Sequence, residues 1–234
     1  MYNDYSPERL GVRPVARLST AFLSQAFLWM FVGLGLSALI AYLTQSSAGI
    51  ASAAINLWLP LIVVEMVLGV GLQVAIRRIN ATMALGLFLG YAAINGLTLG
   101  VIVLAYASSA TVVEAFVSAA AMFGGAALYG AVTRRSLANM FGYLAMATWG
   151  LVVAIVLNLI LGNSTLDIII SIAGVAIFTA LTASTVQKIS RGDFAASTGS
   201  MEKASVLGAL LLYIEFVSIF LFLLSIFSGG GRRR

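Results

Sequence analysis

Residues 207–227 read LGALLLYIEFVSIFLFLLSIF, a run of apolar side chains with one carboxylate, Glu215, near its midpoint. A helix needs about twenty such residues to cross a hydrocarbon core roughly 30 Å thick, so the run predicts a membrane span with an acid close to the bilayer centre. A charge there costs from about 2.5 to over 10 kcal/mol, and residues of this kind face a bundle interior or a wet cavity and carry function. At about 100° per residue, Gly208, Ser218 and Ser225 fall within roughly 80° of Glu215. The small and polar residues therefore share the face of the acid, and leucines and phenylalanines cover the rest. That pattern predicts a helix buried among others, with Glu215 turned away from lipid.

The whole chain of 234 residues is 61% hydrophobic and 9% charged, against about 25% charged in an ordinary soluble domain. The fold class that follows is an all-α, polytopic membrane protein. Cysteine is absent, which excludes disulfides and thiol catalysis. Histidine is absent too, which removes Ser-His and Cys-His nucleophiles, His-based zinc sites and His-held haem. An intramembrane serine protease lacks its usual base here, and a retinal protein lacks its lysine, because Lys203 precedes the last span. No enzyme and no cofactor are expected. A net charge of +5 would suggest nucleic acid in a soluble protein; beside membrane spans it reads as a topology signal instead.

Seven spans are expected, at about 21–43, 54–76, 81–106, 111–132, 140–161, 168–186 and 207–227. The stretch SSAGIASAA after the first resembles a signal-peptidase site, but a signal h-region is about 7 to 15 residues and this run is longer, so the span is retained. Short links force neighbouring spans into antiparallel hairpins. Only the link 187–203 is long enough for an exposed loop, and no soluble domain fits anywhere. The expected division is a cytoplasmic tail at 1–17, a seven-helix domain at 18–228 and a basic tail at 229–234. Glycines at 86, 90, 96 and 100 in the third span, and at 124, 125 and 130 in the fourth, predict close helix approach.

Orientation follows from the thirteen Lys and Arg residues. Ten of them, Arg9, Arg13, Arg17, Arg77, Arg78, Arg134, Arg135, Lys188, Arg191 and Lys203, fall on the side of the amino terminus, and only Arg232, Arg233 and Arg234 on the other. The amino terminus is thus expected in the cytoplasm and the carboxyl terminus outside. The closing arginines are discordant; held inside, they would require six spans or a re-entrant last one.

Polar side chains within the expected hydrocarbon zone are few. The second span has Glu65 near its centre with Gly69 and Gln73 on the same side; the third has Asn95 and Thr98, the fifth Asn158, the sixth Thr182, Ser184 and Thr185. Two mid-membrane glutamates on different helices are the sharpest feature. The bland reading is two protonated acids in a static core. The functional one is a site responsive to protons or cations, because burial couples a carboxyl's charge to its surroundings. Asp167 and Glu114, at outer helix ends, read as N-terminal helix charges or a vestibule lining.

Four segments, YAAINGLTLGVIVLAY (91–106), ALYGAVTRRSLANMFGYLAMATWGLVVAIVLN (127–158), SIAGVAIFTALTASTVQKI (171–189) and LYIEFVSIFLFLLSIF (212–227), together resemble the Bax inhibitor-1 family, and the short length resembles its bacterial members. The likeness covers nearly everything past the amino-terminal tail. It implies seven helices with the seventh central among the other six, in the cell inner membrane. It also implies a pH-sensitive calcium leak in which an acid on the sixth helix and one on the seventh share a proton. The seventh-helix acid falls on Glu215. The sixth-helix acid falls on Thr185, and the acid that usually follows the basic pair of the fourth loop falls on Ser136, so this chain departs from the pattern twice.

Two nearby carboxyls titrate as a coupled pair, and an acid facing a threonine cannot. Either Glu65 supplies the second acid, or Glu215 works singly with Thr185 and Asn95 as neutral oxygen partners, or the ion pathway is lost. A site with Glu215 as its carboxylate would hold calcium weakly, because calcium takes about six to eight oxygens. The expected function is a proton-gated cation leak in contact with lipid, calcium and protons, with Glu215, Glu65, Thr185 and Asn95 as its site. The alternative is a non-conducting regulator that binds other membrane proteins, such as a membrane-anchored protease, through its tail and loops. A small-solute transporter fits less well, since no inverted repeat or Pro-broken helix pair is evident.

Overall fold

The computed structural model describes residues 15–106 and 108–229. Arg9, Arg13 and most of the amino-terminal tail, with the protease-binding role assigned to it, lie outside the described residues, as do Arg232, Arg233 and Arg234. Among the described residues the chain is helical from end to end: α1 (Val15–Ser46), α2 (Ala48–Asn56), α3 (Trp58–Ala75), α4 (Ala81–Tyr106), α5 (Ser109–Val132), α6 (Ala138–Leu161), α7 (Ser164–Arg191), α8 (Asp193–Thr198) and α9 (Met201–Phe227). Seven of these, all but α2 and α8, are long and apolar enough to cross a membrane. Leu159 and Ile160 on α6 are each 80% exposed, a costly state in water and an ordinary one against acyl chains.

Two elements depart from the expected spans. The small-residue stretch after the first span folds as the separate helix α2, and the second span starts at Trp58 rather than near 54. Leu57, at φ −99° and ψ 13°, breaks the helix between them. Pro60 then falls in the first turn of α3, where its missing N–H leaves no intrahelical bond unmade; inside a continuous helix it would have cost one. The link 187–203 is likewise no open loop. α7 runs on to Arg191, and α8 follows between Gly192 and Gly199, both at positive φ (78° and 68°). Phe194 and Thr198 of α8 are buried.

Local chemistry fixes the other turns. Asn163 caps α7 by accepting from the backbone N–H groups of Thr165 and Leu166, Ser108 caps α5 through Thr111, and Asn80 accepts from Met83 N–H at the start of α4. Each side-chain oxygen satisfies an orphan donor of a helix first turn.

Helix α9 packs against α1, α4, α5, α7 and α8, while α3 leans on α4 and α6 on α7. The close approaches sort the glycines. A Cβ at Gly96 would stand 2.8 Å from the Ser37 carbonyl oxygen, one at Gly100 2.7 Å from Thr44 Cβ, and one at Gly130 would collide with the Ala183 backbone. Gly86, Gly90, Gly124 and Gly125 meet nothing. Of the expected contacts, α1–α4 and α5–α7 therefore rest on glycine, and the 86/90 pair makes none.

Candidate functional site

The four residues expected to form the site, Glu215, Thr185, Glu65 and Asn95, fall into two polar clusters, both touching α9. In the first, Glu215 is 4% exposed, and Thr185 on α7 donates its hydroxyl hydrogen to Glu215 Oε1 at 2.5 Å. The other oxygen, Oε2, is buried with no hydrogen-bond partner among the described residues. Thr182, one turn before Thr185, gives its hydrogen to the Phe178 carbonyl at 2.9 Å. Lys188, one turn after Thr185, places its ammonium 3.1 Å from the centre of the Phe141 ring on α6. Towards the other end of the α7–α9 seam, Ser171 donates to Ser225 at 3.1 Å. The acid-bearing face read from residues 207–227 thus meets a row of hydroxyls on α7.

The second cluster holds α3, α4, α9 and α1 together. Glu65 on α3 accepts from Asn95 Nδ2 at 3.3 Å and from the Thr98 hydroxyl, both on α4. Tyr213 on α9 donates to Asn95 Oδ1 at 2.9 Å and meets Ser37 Oγ of α1 at 2.6 Å; Ser37 also lies 2.7 Å from the Ala92 carbonyl oxygen. Tyr213 is fully buried, its ring edge-on to Phe88 and Tyr91 at 5.6 and 5.7 Å. Sequence reasoning passed over Tyr213 and Ser37. A tyrosine in mid-span, away from the membrane interface where that residue concentrates, was the available clue.

Tyr213 and Glu215 are two positions apart, about 200° around a helix. The structure therefore brings Glu215 to Thr185 and Glu65 to Asn95, and sets these pairs on different sides of α9. No hydrogen bond joins the two carboxyls among the described residues, so Glu65 does not occupy the place of the sixth-helix acid, and Asn95 is a partner of Glu65 rather than of Glu215. Among the described residues no group of three His, Cys, Asp or Glu side chains comes together as a metal site.

Both ends of the seam carry further polar contacts. At one end Gln187 donates to the Arg135 carbonyl at 2.8 Å and accepts from Leu137 N–H at 2.7 Å, while Arg191 reaches the Ser136 hydroxyl at 3.3 Å. At the other, Asn158 donates to Asp167, and both line a cleft of about 400 Å³ with Ser171, Ser225 and Trp58. Asp167 thus stands in the first turn of α7 and lines this cleft as well. Glu114 is exposed beside a shallow hollow with Val113, Val117 and Phe227.

Residues 19–233 match the protein family described as inhibitor of apoptosis-promoting Bax1. The chain is 40% identical over 206 residues to an uncharacterized protein of Deinococcus radiodurans, covering 88% of this chain and 89% of that one. It is 36% identical over 228 residues to the inner membrane protein YbhL of Escherichia coli strain K12, covering 95% and 96%. It is 35% identical over 220 residues to the protein YrjE of Lactococcus lactis, covering 92% and 93%.

Proposed function

This chain belongs to the Bax inhibitor-1 family, and on that premise we propose that it is a pH-sensitive leak for cations, calcium among them, gated by the proton on Glu215. The observation that carries the reading is the carboxyl itself: buried, with one oxygen held by Thr185 and the other without a partner. A neutral acid can rest there with Thr185 as its donor. An ionised one leaves Oε2 with no donor and draws in water or a cation. The Thr185 hydroxyl and one carboxylate supply oxygen ligands of the kind calcium takes, but fewer than the six to eight or so of a storage site. Weak holding suits passage.

The rest of the assignment follows the same line. The last helix serves as the axis of the bundle, a role supported by its contacts with α1, α4, α5, α7 and α8. The seven-helix unit at 18–228 sits in the bacterial inner membrane, as the name of the Escherichia coli relative suggests, flanked by the tails at 1–17 and 229–234. Its amino terminus is cytoplasmic, supported by the arginines and lysines gathered at one end of the spans. Glu65, tied to Asn95 and Thr98, fastens α3 to α4 and does not share the proton of Glu215.

The sign of the pH effect follows from charge. The ionised carboxyl attracts a cation and the protonated one does not, so the leak increases as pH rises. Purified protein in liposomes loaded with a calcium-sensitive dye should show flux that climbs as pH is raised across neutrality. Glu215→Gln should leave a low, flat profile, and an unaltered profile in that variant overturns the assignment.

A further inference from the structure

An apolar groove of about 380 Å³ opens between α1 and α5. Leu23, Phe27 and Phe31 form one wall and Ala120, Gly124 and Ala131 the other, with Val186 of α7 and Phe216 of α9 behind them. Val186 is fully buried and Phe216 6% exposed, whereas the rim residues Phe31 and Leu128 are 63% and 70% exposed. The groove is thus deep, closed at the back by the helices that carry Thr185 and Glu215, and open sideways to the surrounding medium, which for this chain is acyl chains.

Its length and its ends identify the occupant. From Ala120 to Ala131 the α5 wall rises about 16 Å at 1.5 Å per residue, close to the thickness of one leaflet, half of roughly 30 Å. One end lies at the middle of α5 beside Phe216, the residue after Glu215. The other lies at the end of α5, where Arg134 and Arg135 follow within a few residues of Ala131. Both arginines are exposed. Their segment is not free to swing away. Gln187, next to Val186 in the groove, holds the Thr133 and Arg135 carbonyls and the Leu137 N–H.

We propose that this groove binds one anionic phospholipid from the leaflet at the arginine-bearing end, with an acyl chain between α1 and α5 and the headgroup phosphate against Arg134 and Arg135. Guanidinium groups pair with phosphate through charge-assisted hydrogen bonds, and arginines near an anionic surface gain affinity from it. A zwitterionic lipid offers the same chain with no net charge. The lodged chain touches Phe216, so lipid occupancy is sensed one residue from the carboxyl. The inference rests on the groove and its arginines and stands whether or not the protein conducts.

The test uses the full chain in nanodiscs of phosphatidylcholine, titrated with phosphatidylglycerol of the same acyl composition, and native mass spectrometry of the lipid retained by each folded molecule. One phosphatidylglycerol should be retained in preference to phosphatidylcholine. Gly124→Leu should reduce that retention to background by filling the groove, because a Cβ at Gly124 meets nothing within 4 Å and the fold accommodates it. Gly125→Leu, equally free of clashes but outside the groove, should retain lipid as the unmodified chain does. Arg134→Gln with Arg135→Gln should lower the preference for phosphatidylglycerol roughly thirtyfold, at about fivefold per arginine. Equal retention of the two lipids by the unmodified chain, or unchanged retention in Gly124→Leu, overturns the proposal. Should Gly124→Leu fail to fold, the arginine pair decides by itself, and an unaltered preference there overturns it as well.

Discussion

Thr185 and Glu215 meet across the α7–α9 seam with a hydroxyl-to-carboxyl separation of 2.5 Å, at the position where related chains are expected to carry a second acid. One hydroxyl donor thus stands where a shared proton would, and the carboxyl depends on a neutral neighbour. Replacing that neighbour is the most direct way to ask what it does.

Thr185→Asp should rebuild a coupled pair of acids. Like charges so close cannot both ionise freely, and the two protons leave in separate steps. Liposome flux in this variant should follow pH in two stages where the unmodified chain shows one. Thr185→Val, which keeps the shape and removes the donor, should cost about 1–3 kcal/mol of stability in a denaturant titration, the usual penalty for stranding a buried polar group.

Glu65→Leu should separate the two clusters functionally. It removes the acceptor of Asn95 and Thr98 and so weakens the hold of α4 on α3 by about 1–3 kcal/mol, read as a lower unfolding midpoint. The pH dependence of flux should be unchanged. A flattened profile would return Glu65 to the gate.

Tyr213→Phe should keep the ring contacts with Phe88 and Tyr91 and lose the bonds to Asn95 and Ser37. Interhelical hydrogen bonds in membranes are worth about 0.6 kcal/mol on average and up to about 1.7, so the expected loss of stability lies in that range for each. Thermal unfolding in detergent measures it.

Gly130→Ala should disrupt the fold, because its Cβ would strike the Ala183 backbone and drive α5 off α7. Gly86→Ala meets nothing and should be neutral or stabilising by up to about 1 kcal/mol through helix propensity. Yield of monodisperse protein and its melting temperature distinguish the two outcomes.

How much of this was legible in the sequence depends on how far each signal is local. The acid-bearing face of α9 could be read because Glu215, Gly208, Ser218 and Ser225 lie on one side of one helix, and periodicity reports such a face directly; that Leu210, Tyr213 and Phe220 on the other side are buried as well depends on the neighbouring helices. The Tyr213 cluster was signalled by no more than a tyrosine in mid-span, since Ser37, Asn95 and Tyr213 come from three helices and no single stretch brings them together. The 86/90 and 96/100 glycine pairs are identical as motifs; only the second meets a neighbour, because contact is a property of the partner helix. The break at Leu57 hid in a stretch of small residues whose hydropathy blends into the span that follows.

With polar anchors on two sides, α9 resists torsion. Turning it about its own axis to free the Glu215 carboxyl would also wrench the Tyr213 hydroxyl from Asn95 and Ser37, so a swivel there pays twice. Displacing α7 leaves the Tyr213 side intact but breaks the Thr185 and Ser171 bonds and the Gln187 hold on the link between α5 and α6. The carboxyl is accordingly clamped from both flanks of the seam.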